Sequence, residues 1–220
     1  EWSDVGGGLG VPAGGRIPSV TAMAVYDNGQ GASLYIAGIM DEVGGVPARN
    51  IAKWDGAAWS PVGSGIGTGV NDRVWTLNVF DDGSGPALYA GGEFADAGGL
   101  PAANIARWNG SAWSAVGDGV DGAVQTMAVR DTSLYVGGWF ATAGGVSSPF
   151  LAKWAGCPSC YANCDRSTAS PTLNVSDFVC FMNSYSAGAA YANCDASSLP
   201  PVLNVADFIC FLNRFAAGCE

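Results

Sequence analysis

Residues 88–114 read LYAGGEFADAGGLPAANIARWNGSAWS, and this stretch decides the fold because most of it occurs three times in the chain. Four markers recur: a Leu-Tyr pair, a Gly-Gly pair, an Ile-Ala-Lys-Trp-like segment and a Trp-Ser-x-Val-Gly segment. They begin at Leu34, Leu88 and Leu134; at Gly44, Gly98 and Gly144; at Ile51, Ile105 and Leu151; and at Trp2, Trp59 and Trp113. The period is about 46 to 57 residues, so each repeat is expected to form one supersecondary unit.

Each repeat is predicted to fold as four short antiparallel strands. The Trp-Ser segment is the first, and alternating apolar residues, the pattern of a half-buried strand, mark the second. The second strands are predicted over Val20–Tyr26, Val74–Phe80 and Val124–Arg130. The Leu-Tyr pair marks the third strand and the Ile-Ala-Lys-Trp segment the fourth. Asp55-Gly56 and Asn109-Gly110 then turn the chain into the next Trp-Ser segment, because Asp-Gly and Asn-Gly are strong hairpin signals.

The composition excludes several classes of protein. Of 220 residues, 33 are Gly, 49% are hydrophobic and 13% are charged, so the chain is not a disordered acidic tail. The glycines have no three-residue period, which excludes collagen. A net charge of −10 disfavours nucleic acid and anionic membranes as partners, and no apolar run is long enough for a membrane span. The absence of histidine from the sequence removes Ser-His-Asp and Cys-His catalysis and every His-ligated metal site.

The placement of the cysteines predicts an oxidising environment. All seven lie after residue 156, and such clustering in a small module is typical of disulfides in secreted proteins. The sequence starts at Glu1 without an initiator Met or a signal-peptide pattern, so we expect a mature or trimmed form. The expected location is extracellular or at the cell surface.

The repeat region, residues 1–155, resembles the propeller-type repeats of secreted bacterial proteins and of the fungal Rax2-like cell-surface family, which are kelch-like in length. The resemblance rests on Leu88–Gly92, Ala97–Gly99, Asn104–Gly110 and Trp113-Ser114, and it implies a non-catalytic scaffold. Four antiparallel strands per repeat also make one propeller blade. The expected fold is mainly β: three four-stranded propeller-like blades over 1–155, followed by a small C-terminal α module with two EF-hand-like loops over 156–220.

The two ends of the repeat region are complementary. It starts on Trp2–Val5, the second strand of the Lys-Trp/Trp-Ser hairpin, and ends on Leu151–Trp154, the first. Three interpretations are open: the ends close a three-fold ring within one chain, each N-terminal strand completes the last sheet of the next molecule, or the chain is a fragment of a longer propeller. The second interpretation makes copies of this chain its own partner, by head-to-tail strand addition. The residues expected at that contact are Trp2, Ser3, Val5, Leu151, Lys153 and Trp154.

The C-terminal part contains a duplication with a spacing of thirty residues. Tyr161–Asp165 recurs as Tyr191–Asp195, and Leu173–Phe178 recurs with one exchange as Leu203–Phe208. Apolar residues then follow at the helical period. The loops carry alternating oxygen donors, and Ca²⁺ prefers about six to eight oxygens, so calcium is the expected cofactor. The expected ligands, with Thr172 and Val202 contributing carbonyls, are Asn163, Asp165, Ser167, Thr172, Asn174, Asp177, Asn193, Asp195, Ser197, Val202, Asn204 and Asp207. The structural alternative is that the two last aspartates favour a first helical turn and the other donors form turns.

This module, Cys160–Cys219, resembles the type I dockerin, a pair of calcium loop-helix repeats packed antiparallel. The resemblance implies a cohesin-like partner and attachment to a scaffold or surface. The module departs from the dockerin pattern in a longer loop, in Asn at the first ligand position, in a missing loop Gly and in its added cysteines.

The cysteine spacing admits a simple set of disulfides. Cys164 and Cys180 lie sixteen residues apart, as do Cys194 and Cys210, so one bridge in each repeat would pin a loop to its helix. A bridge between Cys160 and Cys219 would tie the ends of the module together and leave Cys157 unpaired. The sequence leaves the connectivity open.

No pattern predicts an enzyme or a catalytic residue. Asp41, Glu42, Glu93 and Asp96 follow the third strands of two repeats, and paired carboxylates hydrolyse glycosides, but the third repeat has Ala141 and Thr142 instead. The repeated tryptophans either form a sugar-binding face or stabilise hairpins and core. We therefore expect a non-enzymatic structural or surface-assembly protein, with a carbohydrate- or cohesin-type binding module as the alternative.

Overall fold

The computed structural model describes residues 1–10, 16–67, 72–82 and 85–155, together with residues 178, 179, 182 and 183. The described part is mainly β, which confirms the predicted class. Its four most C-terminal residues are helical. The predicted calcium ligands and all seven cysteines lie outside the described residues. One compact unit comprises Glu1–Asp81 and Gly85–Trp154, and a second comprises Asp82–Ser84 and Ala155–Glu220; the strands below belong to the first unit, apart from Ala155 at the end of the last strand.

The strands follow the three repeats along the chain. The first repeat forms β1 (Ser19–Asp27), β2 (Ala32–Ile39), β3 (Glu42–Val43), β4 (Val46–Pro47), β5 (Ile51–Trp54) and β6 (Trp59–Pro61). The second forms β7 (Arg73–Asp81), β8 (Pro86–Glu93), β9 (Asp96–Ala97), β10 (Leu100–Pro101), β11 (Ile105–Trp108) and β12 (Trp113–Ala115). The third forms β13 (Ala123–Arg130), β14 (Ser133–Trp139), β15 (Thr142–Ala143), β16 (Val146–Ser147) and β17 (Leu151–Ala155).

Each repeat builds one large antiparallel sheet and one small two-stranded sheet. Sheet 1 has the order β1-β2-β5-β6, sheet 2 the order β7-β8-β11-β12, and sheet 3 the order β13-β14-β17. The long strands lie where the alternating pattern and the Leu-Tyr and Lys-Trp markers predict them. The two-residue strands, which the patterns do not predict, pair as small hairpins between the third and fourth predicted strands. Their turns are the Gly-Gly markers, and Gly44 and Gly45 adopt φ values of 56° and 79° that favour glycine.

The register is the same in all three repeats. The inner pair of strands sets Val25 opposite Leu34, Val79 opposite Leu88 and Val129 opposite Leu134. Each pairing also shifts by one residue directly after the first valine, at Val20, Val74 and Val124. A bulge at one position in every repeat gives each sheet the same bend and twist, so the three sheets present equivalent faces.

The sheets pack against one another through two apolar cores. In the first, Tyr35 and Ile51 of sheet 1 lie in one cluster with Val74, Leu77 and Leu88 of sheet 2. The second repeats this arrangement one step along the chain, and its equivalent members are Tyr89, Ile105, Val124, Met127 and Leu134. The innermost strands follow the same order, since β1 contacts β7 and β7 contacts β13.

The three sheets do not close into a ring, so closure within one chain, one of the three interpretations of the ends, is not what the structure shows. Val74 and Leu77 of β7 are buried against sheet 1, whereas the equivalent Val20 and Met23 of β1 are exposed. A third junction of the same kind, between sheet 3 and sheet 1, is therefore not made among the described residues.

The N-terminal segment does not form the strand that the Trp-Ser marker predicts. Glu1–Val5 have no strand structure, and the Trp2 side chain is fully exposed. The equivalent strands β6 and β12 exist because β5 and β11 pair with them. An isolated strand leaves its backbone donors and acceptors to water, so the marker forms a strand only beside a partner.

Candidate assembly surface

The last strand of the repeat region lies at the edge of its sheet. In sheets 1 and 2, β5 pairs with both β2 and β6, and β11 pairs with both β8 and β12. In sheet 3, β17 has one partner among the described residues, β14. An edge strand presents a row of backbone groups that can pair with an added strand.

Each completed sheet carries a cross-strand pair of tryptophans. Trp54 lies opposite Trp59 with ring centroids 5.2 Å apart, and Trp108 lies opposite Trp113 at 5.3 Å. Both pairs are tilted, at 50° and 48°, which is a favourable geometry for aromatic contact. Trp154 occupies the equivalent position in β17.

The second tryptophan of each pair also holds the preceding segment of the chain. The Trp59 indole donates to the carbonyl of Val5, and the Trp113 indole donates to that of Val62, both at 3.0 Å. The tryptophan pairs lie over Gly6 and Gly63, where a Cβ would stand 2.7 Å from Trp59 Nε1 and 3.1 Å from Trp108 Cζ3.

The described part of sheet 3 has the first tryptophan of this arrangement but not the second. A Cβ on Gly117 would stand 3.0 Å from Trp154 Cζ3, so Trp154 covers Gly117 as Trp108 covers Gly63. Val116, which precedes Gly117, is the equivalent of Val5 and Val62. The described part of sheet 3 has no second tryptophan to stack on Trp154 and donate to the Val116 carbonyl.

The structure brings the predicted contact residues into two separate groups. Leu151, Lys153 and Trp154 lie together on β17, with Leu151 and Lys153 exposed. Trp2 and Ser3 are exposed in the N-terminal segment. The Val5 carbonyl accepts the Trp59 indole within the same chain, as the Val62 carbonyl accepts the Trp113 indole. Within one molecule the two groups do not complete a hairpin.

Two asparagines that the marker pattern does not single out connect successive repeats. Asn50 and Asn104 adopt φ values of 57° and 64°. Their side-chain amides donate to the carbonyls of Ile66 and Val120 in the segment leading to the next sheet, both at 2.9 Å. Their positions directly before Ile-Ala-Lys-Trp and Ile-Ala-Arg-Trp are the signal that could have found them. In the third repeat this position is Phe150, which is exposed at φ 67°.

Backbone hydrogen bonds lower the pKa values of two aspartates in the repeat region. The N–H groups of Ala58 and Ala57 hold the pKa of Asp55 below its ordinary value, since its carboxylate accepts both in the hairpin turn. Those of Thr142 and Ala141 likewise lower the pKa of Asp121. Both carboxylates serve as backbone caps.

The four acidic residues considered for catalysis are spread over two repeats. Glu42 and Asp96 hold equivalent positions in β3 and β9. Glu93 lies 3.6 Å from Arg73 at the exposed end of sheet 2. Across the described ranges, no group of three or more Asp, Glu, His or Cys side chains is arranged to hold a metal ion.

A shallow cavity of about 380 Å³ lies at the third small hairpin. Trp139 and Phe150 on its wall are both exposed, and Asp121 contributes a carboxylate. Its complete lining is Asp121, Trp139, Phe140, Ala141, Pro149 and Phe150. Two exposed aromatic side chains on the wall of one cavity form a surface of the kind that binds apolar or amphipathic ligands.

Comparisons of the chain with models of protein families, with curated proteins and with solved structures find no match. Among the residues with a described conformation, no helix has the length and apolar character needed to cross a bilayer.

Proposed function

We propose that this protein is a non-enzymatic structural component of the cell surface or extracellular space, whose copies assemble head to tail by β-strand complementation. The N-terminal Trp-Ser segment of one copy adds to β17 of the preceding copy. The observation that carries the proposal is the half-built site of sheet 3, where Trp154, Gly117 and the Val116 carbonyl lack only the tryptophan found in sheets 1 and 2.

The two complete hairpins supply the register of the added strand. Trp59 lies opposite Trp54 and Ser60 opposite Lys53, and β12 pairs with β11 in the same way. The same register sets Trp2 opposite Trp154 and Ser3 opposite Lys153 of the neighbouring copy. The Trp2 indole then stacks on Trp154 and donates to the Val116 carbonyl, as Trp113 does to Val62.

With its fourth strand in place, sheet 3 becomes equivalent to sheets 1 and 2. The three sheets are then the three propeller-like blades, and the series of blades continues from copy to copy. The contact is heterologous, since each copy contributes a different surface at each end. Such contacts build an open filament, or a larger ring if the rotation between copies closes.

The assembly is tested by sedimentation velocity over a range of concentrations, together with negative-stain microscopy. Wild-type protein is expected to form concentration-dependent oligomers or filaments, and Trp2→Ser is expected to be monomeric. Trp2→Phe keeps the aromatic stacking but loses the indole donor, so we expect intermediate association. Val146→Ala removes part of an exposed apolar side chain on β16 and serves as the matched control.

Circular dichroism gives an independent readout of the contact. Tilted tryptophan pairs couple excitonically, so formation of a Trp2–Trp154 pair adds to the signal of the two internal pairs as concentration rises. Wild-type protein that stays monomeric at the highest attainable concentration, with no change in this signal, would rule the proposal out.

We further propose that the C-terminal module binds calcium, on the support of the duplicated loops alone. About two ions per chain are expected by titration calorimetry, one for each loop. The double variant Asp177→Ala/Asp207→Ala is expected to abolish binding, while Asp118→Ala in the repeat region leaves it unchanged. If EDTA treatment changes neither the heats of the calcium titration nor the circular dichroism spectrum, relative to untreated protein, the proposal is contradicted. A cohesin-like partner is the expected binder of this module.

The cavity beside Trp139 and Phe150 favours carbohydrate binding as a second candidate function. Sugars stack their C–H faces on exposed aromatic rings, and both of these rings are exposed. A glycan array followed by titration of the best binder tests this candidate. Trp139→Ala is expected to abolish binding and Trp75→Ala to preserve it, whereas equal loss in both variants would count against this site.

A further inference from the structure

Sheet 1 exposes a group of apolar side chains that the other sheets bury. We define its leading face by Val20, Met23 and Leu34. Met23 is 66% exposed, whereas the equivalent Leu77 and Met127 are each 7% exposed. The other equivalents, Val74, Leu88, Val124 and Leu134, are all fully buried, while Val20 is exposed and Leu34 half-buried. The difference lies in what covers each face, since sheets 2 and 3 each have a preceding sheet over these residues.

Sheet 3 exposes the opposite surface. We define its trailing face by Tyr135, Gly137 and Leu151. Leu151 is 63% exposed, whereas the equivalent Ile51 and Ile105 are buried beneath the following sheet. Tyr135 is half-buried, whereas its equivalents in sheets 1 and 2 are fully buried. The leading and trailing faces are therefore the two halves of the junction that already occurs twice within the chain.

We infer that the leading face of one copy stacks on the trailing face of the preceding copy, repeating the packing between sheets 1 and 2. The occupant of each face is a second copy of this chain. This inference rests on the proposed head-to-tail assembly and extends it from a strand edge to an apolar interface. Removing these side chains from water stabilises the contact and supplies a hydrophobic centre that strand pairing alone lacks.

The order of elements along the chain makes the two contacts compatible. β6 completes sheet 1, and the chain then runs directly into β7, which packs on that same sheet. The Trp2 segment and β1 are successive in the same way. A copy whose Trp2 strand completes sheet 3 of its neighbour therefore presents β1 to that same sheet.

Two residues of the third repeat differ from their equivalents at the first junction, Arg130 from Tyr26 and Phe150 from Asn50. Tyr26 donates its hydroxyl to the Pro86 carbonyl at 3.0 Å across the first junction. Arg130, whose guanidinium lies 3.5 Å from the Asp131 carboxylate, stands at the position of Tyr26, and Ala32 stands at that of Pro86. The guanidinium therefore replaces the tyrosine hydroxyl as the donor that faces the Ala32 carbonyl of the incoming copy. Phe150 replaces the asparagine that ties each sheet to the next repeat. The junction between copies lacks that hydrogen bond, and we expect it to be weaker than the internal junctions.

The closing experiment compares Met23→Asp with Val25→Asp in the full-length chain by sedimentation velocity. Val25 is 64% exposed on the same strand, but its equivalents Val79 and Val129 also remain exposed in the covered sheets. Met23→Asp is expected to raise the dissociation constant at least about tenfold, because it places a charge at the centre of the interface, and Val25→Asp less than about threefold. Arg130→Glu is the second variant. Because the Arg130 side chain is exposed, we expect this substitution to have little effect on folding.

A mixing experiment tests the head-to-tail pairing of the two faces. Met23→Asp protein keeps an intact trailing face, and Leu151→Asp protein keeps an intact leading face. Each alone is expected to be monomeric, and an equimolar mixture is expected to stop at one-to-one dimers. A mixture that remains monomeric overturns the pairing of these faces.

The outcomes separate the inference from the proposal on which it rests. If the wild type assembles and Trp2→Ser is monomeric while Met23→Asp assembles like the wild type, strand complementation stands and face stacking fails. If the wild type itself is monomeric at every concentration, both fail. If Val25→Asp disrupts assembly as strongly as Met23→Asp, the contact is nonspecific and the inference also fails.

Discussion

Asn50 shows how one side chain can meet a conformational and a hydrogen-bonding requirement together. Its φ of 57° lies in a region that Asn tolerates better than other non-glycine residues. Its amide donates to Ile66 and its Oδ1 accepts from Met40 in a buried setting. We expect Asn50→Ala to lower the free energy of unfolding by about 2–4 kcal/mol, from strain and unpaired buried groups, as measured by urea denaturation. A loss below about 0.5 kcal/mol would show that the position does not connect the repeats.

Phe150 occupies the equivalent position, but it neither tolerates a positive φ as Asn does nor has a side-chain amide that can form hydrogen bonds. It adopts φ 67° although its ring is exposed, and a bulky residue in that region is strained. Phe150→Asn is expected to raise the free energy of unfolding by about 1 kcal/mol, since the backbone conformation is held by the Phe140 and Gly138 hydrogen bonds. The same urea titration, performed on monomeric protein, measures the gain. Destabilisation by this variant would mean that the ring contributes packing that outweighs its strain.

Asp55 and Asn109 hold equivalent hairpin turns with different chemistry. Both accept two backbone N–H groups through Oδ1, but only Asp55 titrates. Its pKa is lowered in the folded state, so its stabilisation is present above the unfolded pKa and is lost as pH falls through the folded value. In thermal unfolding measured between about pH 5 and pH 2, Asp55→Asn is expected to weaken the acid-induced loss of stability. Asn109→Asp is the reverse control and is expected to strengthen the acid-induced loss of stability. If neither variant changes the pH dependence of stability below about pH 5, the contribution of the Asp55 carboxylate is contradicted.

At the scale of elements, the tryptophan hairpins combine strand pairing with a bond to the preceding segment. Trp113 is buried and donates to Val62, whereas Trp59 makes the equivalent bond at a more exposed site. Trp113→Phe is expected to cost about 1–2 kcal/mol of unfolding free energy, and Trp59→Phe about half of that or less, because water can replace the lost donor at the exposed site. Urea denaturation of both variants measures the difference, and equal costs would show that burial does not set the strength of this bond.

The elements that the sequence predicts well are those with a strong local pattern. Alternation over Val74–Phe80 and the hairpin signal at Asn109-Gly110 are local, and β7 and the β11–β12 hairpin form where they indicate. The small hairpins such as β3–β4 have too few residues to produce a periodic pattern. Trp2–Val5 carries the same marker as β6 but forms no strand, because a strand depends on a partner strand, which a local pattern does not specify.

At the scale of the whole molecule, the three sheets differ in how much of their surface is covered. Among the described residues, sheet 2 packs against another sheet on both faces, while sheets 1 and 3 each pack against another sheet on one face. In dilute monomeric protein, hydrogen exchange is expected to be slowest in β7 and β8 and about tenfold or more faster in β17, since terminal units of a stacked array open first. Uniform protection across the three sheets would instead indicate one cooperative unit.

The sequence by itself determined the three-fold repeat, the mainly β class and the positions of the long strands, because hydrophobic alternation and turn residues act over a few neighbouring positions. Only the tertiary structure decided that the sheets do not close, that Asn50 and Asn104 join successive repeats, and that Val20 and Met23 are exposed where Val74 and Leu77 are buried. Identical local patterns give β1 and β7 the same strand, but burial depends on which sheet lies next to each. That neighbour is set by the long-range order of the sheets, and no local pattern encodes it.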